Sequence, residues 1–480
     1  MLTRRQLLLA AGVLATSATA AGCGGDGPAE PRSEGKLLWW DHFQPREKFE
    51  RKLFERFAKE PDGLPVDYTV FNPEKQGQAL QLAKTSNQLP DVFTLAGVNA
   101  PPAQLVREGW FAPLELDDEA RKALPTDALF DGLSVFDGKP YSFPVNSPKE
   151  YAVLVWYNRE LFERAGLDPD NPPSSYDDWR AAGRAIRTKA GTNVYGWILP
   201  LGFAGRMREQ TEALAQAAGS TDVHGVDLRT GEYVYHSEPY VQAIEFLLSL
   251  KRDGTLFPAS AQLDARSGRA RWATGVAGMF TDGCYCIGVV KTSFAAFADK
   301  MAVAPAPVPE AGAPIRIYQP PQPGTFWISG QSKHVAAASK LVSWFIGDEH
   351  QRDIATSMAS PPFVRSAIDE ADVHPTYRKA IEYFDQQCFL APDPVVRNPA
   401  VAKVLAAMRD VKPGLPEIVQ GAFSGDVPDY RKALRTLSDK MQAERSRAIA
   451  EVAKKGQKVS EEDFAFPDWE PGRDFGPGSY

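Results

Sequence analysis

The sequence predicts an α/β protein of two lobes behind an export signal. Three observations carry this. Strand and helix patterns alternate through the first hundred residues past the signal, which means βαβ units on a mostly parallel sheet. The texture then changes to mixed hairpin, strand and helix, and a Pro/Ala-rich stretch, APAPVPEAGAP, interrupts it near residue 310. A chain of 480 residues is also long for a single core.

In chain order, KLLWWDHF is a short apolar run and reads as a buried strand. PREKFERKLFERFAKE places Phe49, Leu53 and Phe57 four apart, on one helical face. PVDYTVFN alternates at Val66, Tyr68 and Val70 as a strand does, and PEKQGQALQLAKTSNQ is helical. PDVFTLAG is the third strand and PPAQLVREGW the third helix. FDGKPYSFPV carries an Asp-Gly turn between two strands. AVLVWYN is a strand, and RELFERAG is a helix stopped by Gly166. DPDNPPSS is a loop, and Ser175-x-x-Asp178 opens the next helix with a capping-box pattern. TFWISGQSKHVAAASKLVSWFI reads as strand, turn and helix, and the chain after SPPFVRSA is mostly helical. The last residues, EEDFAFPDWEPGRDFGPGSY, show no regular pattern.

The first residues are an address. Arg4 and Arg5 precede a short apolar core and a small-residue end, the layout of a signal peptide over 1–22. The apolar run is too short and alanine-rich for a good membrane span. Thr3-Arg4-Arg5-Gln6-Leu7-Leu8 resembles a twin-arginine export signal, and the general secretory route stays open. Ala20-Ala21-Gly22-Cys23 resembles the lipobox of bacterial lipoproteins, with Ala20 where Leu is usual. Residues 23–35 then read as a polar, Gly/Pro-bearing tether on a lipidated Cys23. Stable anchoring takes more than one acyl chain, which a diacylglyceryl group supplies.

Composition excludes several classes. The net charge is −7, and it falls to −9 once Arg4 and Arg5 leave with the signal. A mildly acidic chain is no nucleic-acid binder. Cys284, Cys286 and Cys388 remain after Cys23, an odd number, so this is no disulfide scaffold, although Cys388 could pair with either of the others. The six histidines are scattered, with no HExxH or CxxC, so neither metal nor cofactor is expected. GxSxG and P-loop patterns are also absent.

Five blocks, in order, resemble the family 1 extracellular solute-binding proteins, the maltose-binding-protein-like receptors of ABC importers. They are DVFTLAG with LVREGWFAPLE, DGKPYSFPV through VLVWYNRELFERAGLD to SYDDW, WATGVAGMFTDGCY, ISGQSKHVAAASKLVSWFI, and FSGDVPDYRKAL. The resemblance implies a two-lobed periplasmic-binding-protein-like fold with a ligand cleft between the lobes. It divides the chain into an N-terminal lobe of 36–148 plus 310–352, a C-terminal lobe of 149–309 plus 353–455, and a tail of 456–480. The tail is unlike the shorter relatives.

Site residues follow from two sources. In open α/β sheets ligands bind beyond the carboxyl ends of the strands. That rule picks Trp40, Asp41, His42, Phe43 and Gln44 after the first strand and Gly97 to Asn99 after the third. Trp39 and Trp40 point to opposite faces, and Trp40, nearer the strand end, is expected in the cleft with Asp41 as a polar clamp. The resemblance adds Tyr151, Asp282 and Tyr285 as ligand contacts, with Tyr285 as an aromatic platform for a sugar face. Asn146 is a further hydrogen-bonding candidate. Phe203, Arg206 and Glu209 follow the strand YGWILP. Gly324 and Thr325 stand where relatives carry an aromatic platform, and Trp327 is expected in the core.

The resemblance implies a monomeric receptor, not an enzyme. It would capture a carbohydrate, most simply an oligosaccharide, by hinge closure and deliver it to a membrane permease. Its place would be the outer face of the cytoplasmic membrane, extracellular or periplasmic. Two alternatives stay open. One is the same fold binding a polyol or polyamine. The other is a surface carbohydrate-active enzyme using Asp41 or Glu150, although glycosidases need a defined carboxylate pair that no motif here names.

Overall fold

The computed structural model describes residues 35–98, 100–123 and 128–480. The signal peptide, Cys23 and Asn99 therefore lie outside the described residues.

The chain opens with β1 (Leu37–Asp41), α1 (Glu47–Phe57), β2 (Val66–Val70), α2 (Pro73–Thr85), β3 (Val92–Phe93), α3 (Pro102–Arg107), β4 (Phe111–Ala112) and α4 (Asp118–Ala123). A hairpin of β5 (Val135–Phe136) and β6 (Lys139–Pro140) follows. Next come β7 (Leu154–Asn158), α5 (Arg159–Ala165), α6 (Tyr176–Lys189), β8 (Tyr195–Ile198), α7 (Ala204–Ala217), β9 (Asp222–Val223), β10 (Val226–Asp227) and α8 (Glu238–Arg252). Then come α9 (Ala265–Trp272), β11 (Ala277–Asp282), α10 (Tyr285–Ser293), α11 (Ala295–Ala298), β12 (Met301–Ala304), β13 (Ile317–Gln319) and β14 (Trp327–Ser329). The rest is helical apart from β15 (Cys388–Leu390): α12 (Val335–Ser343), α13 (Asp348–Ser357), α14 (Ala367–Glu370), α15 (Pro375–Gln387), α16 (Pro394–Arg397), α17 (Val401–Ala407), α18 (Leu415–Ser424) and α19 (Tyr430–Lys454).

Two sheets organise two lobes. The first has the order β2-β1-β3-β14-β4, with β1 parallel to both β2 and β3, and β14 antiparallel to β3 and β4. The second has the order β12-β7-β11-β8, with β11 parallel to β8 and β7 antiparallel to β11 and β12. The chain leaves the first lobe through 141–153, returns through 305–326, and passes to the second lobe again after α13. That return carries β13, which pairs in parallel with β15 from Ile317↔Cys388 to Gln319↔Leu390.

Local chemistry sets these elements. Asn72 caps α2 by accepting the Glu74 N–H at 2.9 Å, and Ser175 Oγ accepts the Asp178 N–H at 3.2 Å. Gly166 ends α5 at φ +76°. In the hairpin, Asp137 and Gly138 both take positive φ, as a two-residue type I′ turn requires. The α1 face differs from its predicted spacing: Leu53, Phe54 and Phe57 enter the core, and Glu50 is buried where Phe49 was expected.

Trp39 and Trp40 do split between the faces of β1, but both faces are core. Trp39 packs on Phe54, Phe326 and Phe345, and Trp40 on Phe71 with ring centroids 4.8 Å apart. The second lobe buries Trp156, Trp179, Trp197 and Trp272. The three described cysteines are free and buried. The tail is more ordered than its sequence predicts. It forms 3₁₀ turns at Glu461–Phe464 and Pro477–Ser479 and buries Phe464, Phe466 and Trp469. Among the described residues no helix is long and apolar enough to cross a membrane.

Candidate functional site

Between the lobes lies a cavity of about 430 Å³. Strand ends of both sheets build it, as expected for open α/β sheets. His42, Phe43 and Gln44 follow β1, Asn72 and Glu74 follow β2, and Thr94 follows β3. The second lobe contributes Phe203, Arg206 and Glu209 around the start of α7, Arg266 and Arg269 from α9, and Tyr285 from the start of α10. Asn146, Glu150, Gln322, Gly324 and Thr325 come from the connecting segments, and Ser360 from the loop after α13.

The predicted set divides. His42, Gln44, Asn146, Phe203, Arg206, Tyr285, Gly324 and Thr325 all line the cavity. Four others do not. Trp40 is a core residue, because its strand position turns the indole onto Phe71 and away from the cleft. Asp41 is fully buried beneath the cavity, where its carboxylate accepts from Trp39 Nε1, Phe43 N and Tyr68 Oη, each at 3.0 Å. Asp282 is fully buried behind Tyr285 and accepts from Arg269 Nε at 2.7 Å. Tyr151 donates its hydroxyl to Gln387 at 2.6 Å and lines a neighbouring cavity of about 280 Å³ instead. That cavity runs along α7 and shares Gly205 and Glu209 with the first. Gly97 also turns from the cleft. At φ +73° it packs against α2 so closely that a Cβ would lie 2.7 Å from the Pro73 carbonyl oxygen. Trp327 is in the core, as expected.

Several lining residues escaped the sequence reading. Asn72, Glu74 and Thr94 obey the strand-end rule, and applying it to β2 as well as β1 would have found the first two. Arg266 and Arg269 lie three apart on one face of α9. Nothing in the sequence marks that helix as cleft-facing.

The electrostatics are largely self-contained. Arg206 pairs with Glu209 at 3.0 Å and donates to the Tyr285 hydroxyl. Arg269 pairs with Asp282. Burial, then the charges of Arg46 and Arg266, pushes His42 down to about 3, so its imidazole is neutral. Its Nδ1 lies 3.0 Å from Thr94 Oγ1. Burial, and then the Glu209 charge, lifts Glu150 to about 7. Below the floor, burial raises both Asp41 and Glu50. The Tyr68 hydroxyl lies within hydrogen-bonding distance of both carboxyls. Arg46 joins this cluster to the cavity wall, meeting Glu50 at 3.0 Å and donating to Asn146 Oδ1 at 3.1 Å. Among the described residues no group of His, Cys, Asp and Glu could hold a metal ion.

Two lobes around a cleft lined with hydrogen-bonding side chains and three aromatic rings define a receptor for a small solute. The chain belongs to the bacterial extracellular solute-binding proteins, whose family model matches residues 52–382. It is similar to the sn-glycerol-3-phosphate-binding periplasmic protein of Agrobacterium fabrum, with 23% identity over 243 residues, 48% of this chain and 50% of that protein. The chain thus spans about half the length of the curated relatives it matches. Its fold is similar to that of an ABC transporter solute-binding protein from Thermotoga lettingae bound with α-D-tagatose. The TM-score is 0.64 at 18% identity, over 86% of this chain and 100% of that one. It is also similar to the GacH receptor of Streptomyces glaucescens, crystallised unliganded and with acarbose. There the TM-score is 0.61 at 18% identity, over 86% of this chain and 98% of that one.

Proposed function

We propose that the protein captures a carbohydrate in this cleft by closing its lobes and delivers it to the permease of an ABC importer. It does so as a monomer held by lipid on Cys23 at the outer face of the cytoplasmic membrane. One observation carries the reading: a cavity in which Arg206 and Arg269 are already paired with carboxylates and whose lining brings amide, hydroxyl and imidazole groups together with the rings of Phe43, Phe203 and Tyr285. Paired charges leave oriented acceptors and donors for hydroxyls, and the rings offer apolar faces to a sugar. Contacts drawn from both lobes are complete only when the lobes close, which shifts the open–closed population toward the closed form. Sugars in similar folds, α-D-tagatose and acarbose among them, support the same reading. No reaction is performed in it.

Arg266 favours a second reading, an anionic polyol. Among the described residues it forms no ion pair, and its guanidinium faces the same cavity. The glycerol-3-phosphate named for the Agrobacterium relative has that chemistry. A thermal-shift panel of mono- and oligosaccharides, sugar alcohols, glycerol 3-phosphate, polyamines and amino acids tests both, because a ligand of the native state alone raises its melting temperature. A shift with a neutral sugar supports the first reading. A shift with glycerol 3-phosphate alone replaces it with the second. A shift with amines or amino acids alone removes both.

A further inference from the structure

The binding cleft uses nothing beyond α19, yet the last residues are held against the body along their length. Phe464 packs among Val401, Val404, Ala448 and Val452. The Phe466 N–H donates to the Leu228 carbonyl at 2.7 Å, and Tyr480 Oη accepts the Asp393 N–H at 2.9 Å. Between these anchors the tail meets the segments that join the lobes. The Trp469 ring stands nearly perpendicular to that of Tyr318 on β13, with centroids 4.9 Å apart. Asp474 accepts from Lys149 Nζ at 2.5 Å, in the outgoing connection, and from Leu390 N at 2.8 Å, on β15. The Phe475 N–H donates to the Leu390 carbonyl at 2.9 Å. The two connections are themselves laced together, because Gln319 Nε2 donates to the Glu150 carbonyl at 2.7 Å.

A hinge works by concentrating backbone rotation in a few residues of the connecting segments. The tail ties two of the three connections, 141–153 and 305–326, to one covering layer, which restrains rotation of those residues. We propose that Trp469 and Asp474 are positioning residues for ligand capture, and that the tail is a strap limiting how far the lobes open. This rests on the lobe-closure reading above. Trp469 is the stronger element, because its ring is buried, whereas the Lys149–Asp474 pair is partly exposed and holds weakly.

The test is an inter-lobe distance without ligand. Leu82 on α2 and Lys189 on α6 are exposed and the described native cysteines are buried, so with Cys23→Ala in every variant L82C and K189C take spin labels selectively. Pulsed electron resonance on the otherwise intact chain should give a distribution that broadens and moves to longer distances in W469A. A smaller shift is expected in D474A, and W469F should restore the original. Circular dichroism establishes that each variant is folded. If W469A does not fold, K149A/D474A carries the same comparison. Distributions superimposable on that of the parent in folded variants would overturn the strap. Because no ligand is added, a failure of the sugar reading leaves this result standing, and a failure of the strap leaves the sugar reading intact.

Discussion

Arg266 Nη2, in the second lobe, donates to the carbonyl oxygen of Phe71, in the first, at 2.8 Å. This bond spans the cleft and ends on a main-chain atom just past β2. A charged donor to a carbonyl contributes about 1.5–3 kcal/mol when it is well made. Arg266→Ala should therefore weaken ligand binding by ~1–2 kcal/mol, with a faster off-rate, because it removes a bond between the lobes. Stopped-flow dissociation measures this. An unchanged off-rate would show that the bond does not contribute to closure.

Tyr285 and Trp40 should separate cleanly. Tyr285 lines the cavity and holds Arg206, so Tyr285→Ala should cost on the order of 2–4 kcal/mol of affinity, as loss of a central aromatic anchor does. Trp40 is core, and Trp40→Ala should cost ~3–5 kcal/mol of stability. Denaturant titration and calorimetry on both variants check the split. Equal affinity losses with no stability loss in Trp40→Ala would return Trp40 to the cleft.

Glu150 makes stability depend on pH. Its carboxyl sits at about 7 in the folded protein against an ordinary 4.5. Between those values the folded state keeps a proton that the unfolded chain has lost, so stability falls as pH rises from about 4.5 to 7. The glutamate is only partly buried, so the fall should be ~1–3 kcal/mol rather than the full shift. Chemical denaturation across that window in the parent and in Glu150→Gln measures it. The same slope in both would assign the dependence elsewhere.

Cys23 lies outside the described residues, and its role is a prediction. Mass spectrometry of the exported chain should find its N-terminal cysteine carrying diacylglyceryl. Cys23→Ala should release the protein from the membrane fraction. An unmodified thiol on membrane-free protein would remove the anchor from this account.

Most of the element order was legible because period and punctuation agreed. Val66, Tyr68 and Val70 alternate, Asn72 and Ser175 cap, and Asp137-Gly138 turns. The site was legible only in part, for a reason visible on β1. Strand-end position brings His42 and Gln44 to the cavity wall. It could not say that Trp40 meets Phe71 or that Asp41 faces Tyr68, because those depend on partners 31 and 27 residues away. Asp282 and Tyr151 lie off that wall for the same reason, being held by Arg269 and Gln387. Arg266 and Arg269 carry no local signal at all, since the orientation of α9 is set by packing. The tail looked unstructured because Trp469 and Phe466 bury themselves against Tyr318 on β13 and Leu228 just after β10 rather than within any periodic element.

The central claim is that a carbohydrate is held between the lobes. Titration calorimetry with the sugar that gives the largest thermal shift, on the parent and on an Arg206→Ala/Tyr285→Ala variant, tests it most directly. The account predicts one sugar bound per chain by the parent and no measurable heat with the variant. Full binding by the variant, or no heat from any sugar alongside clear heat from an amine or amino acid, would contradict it.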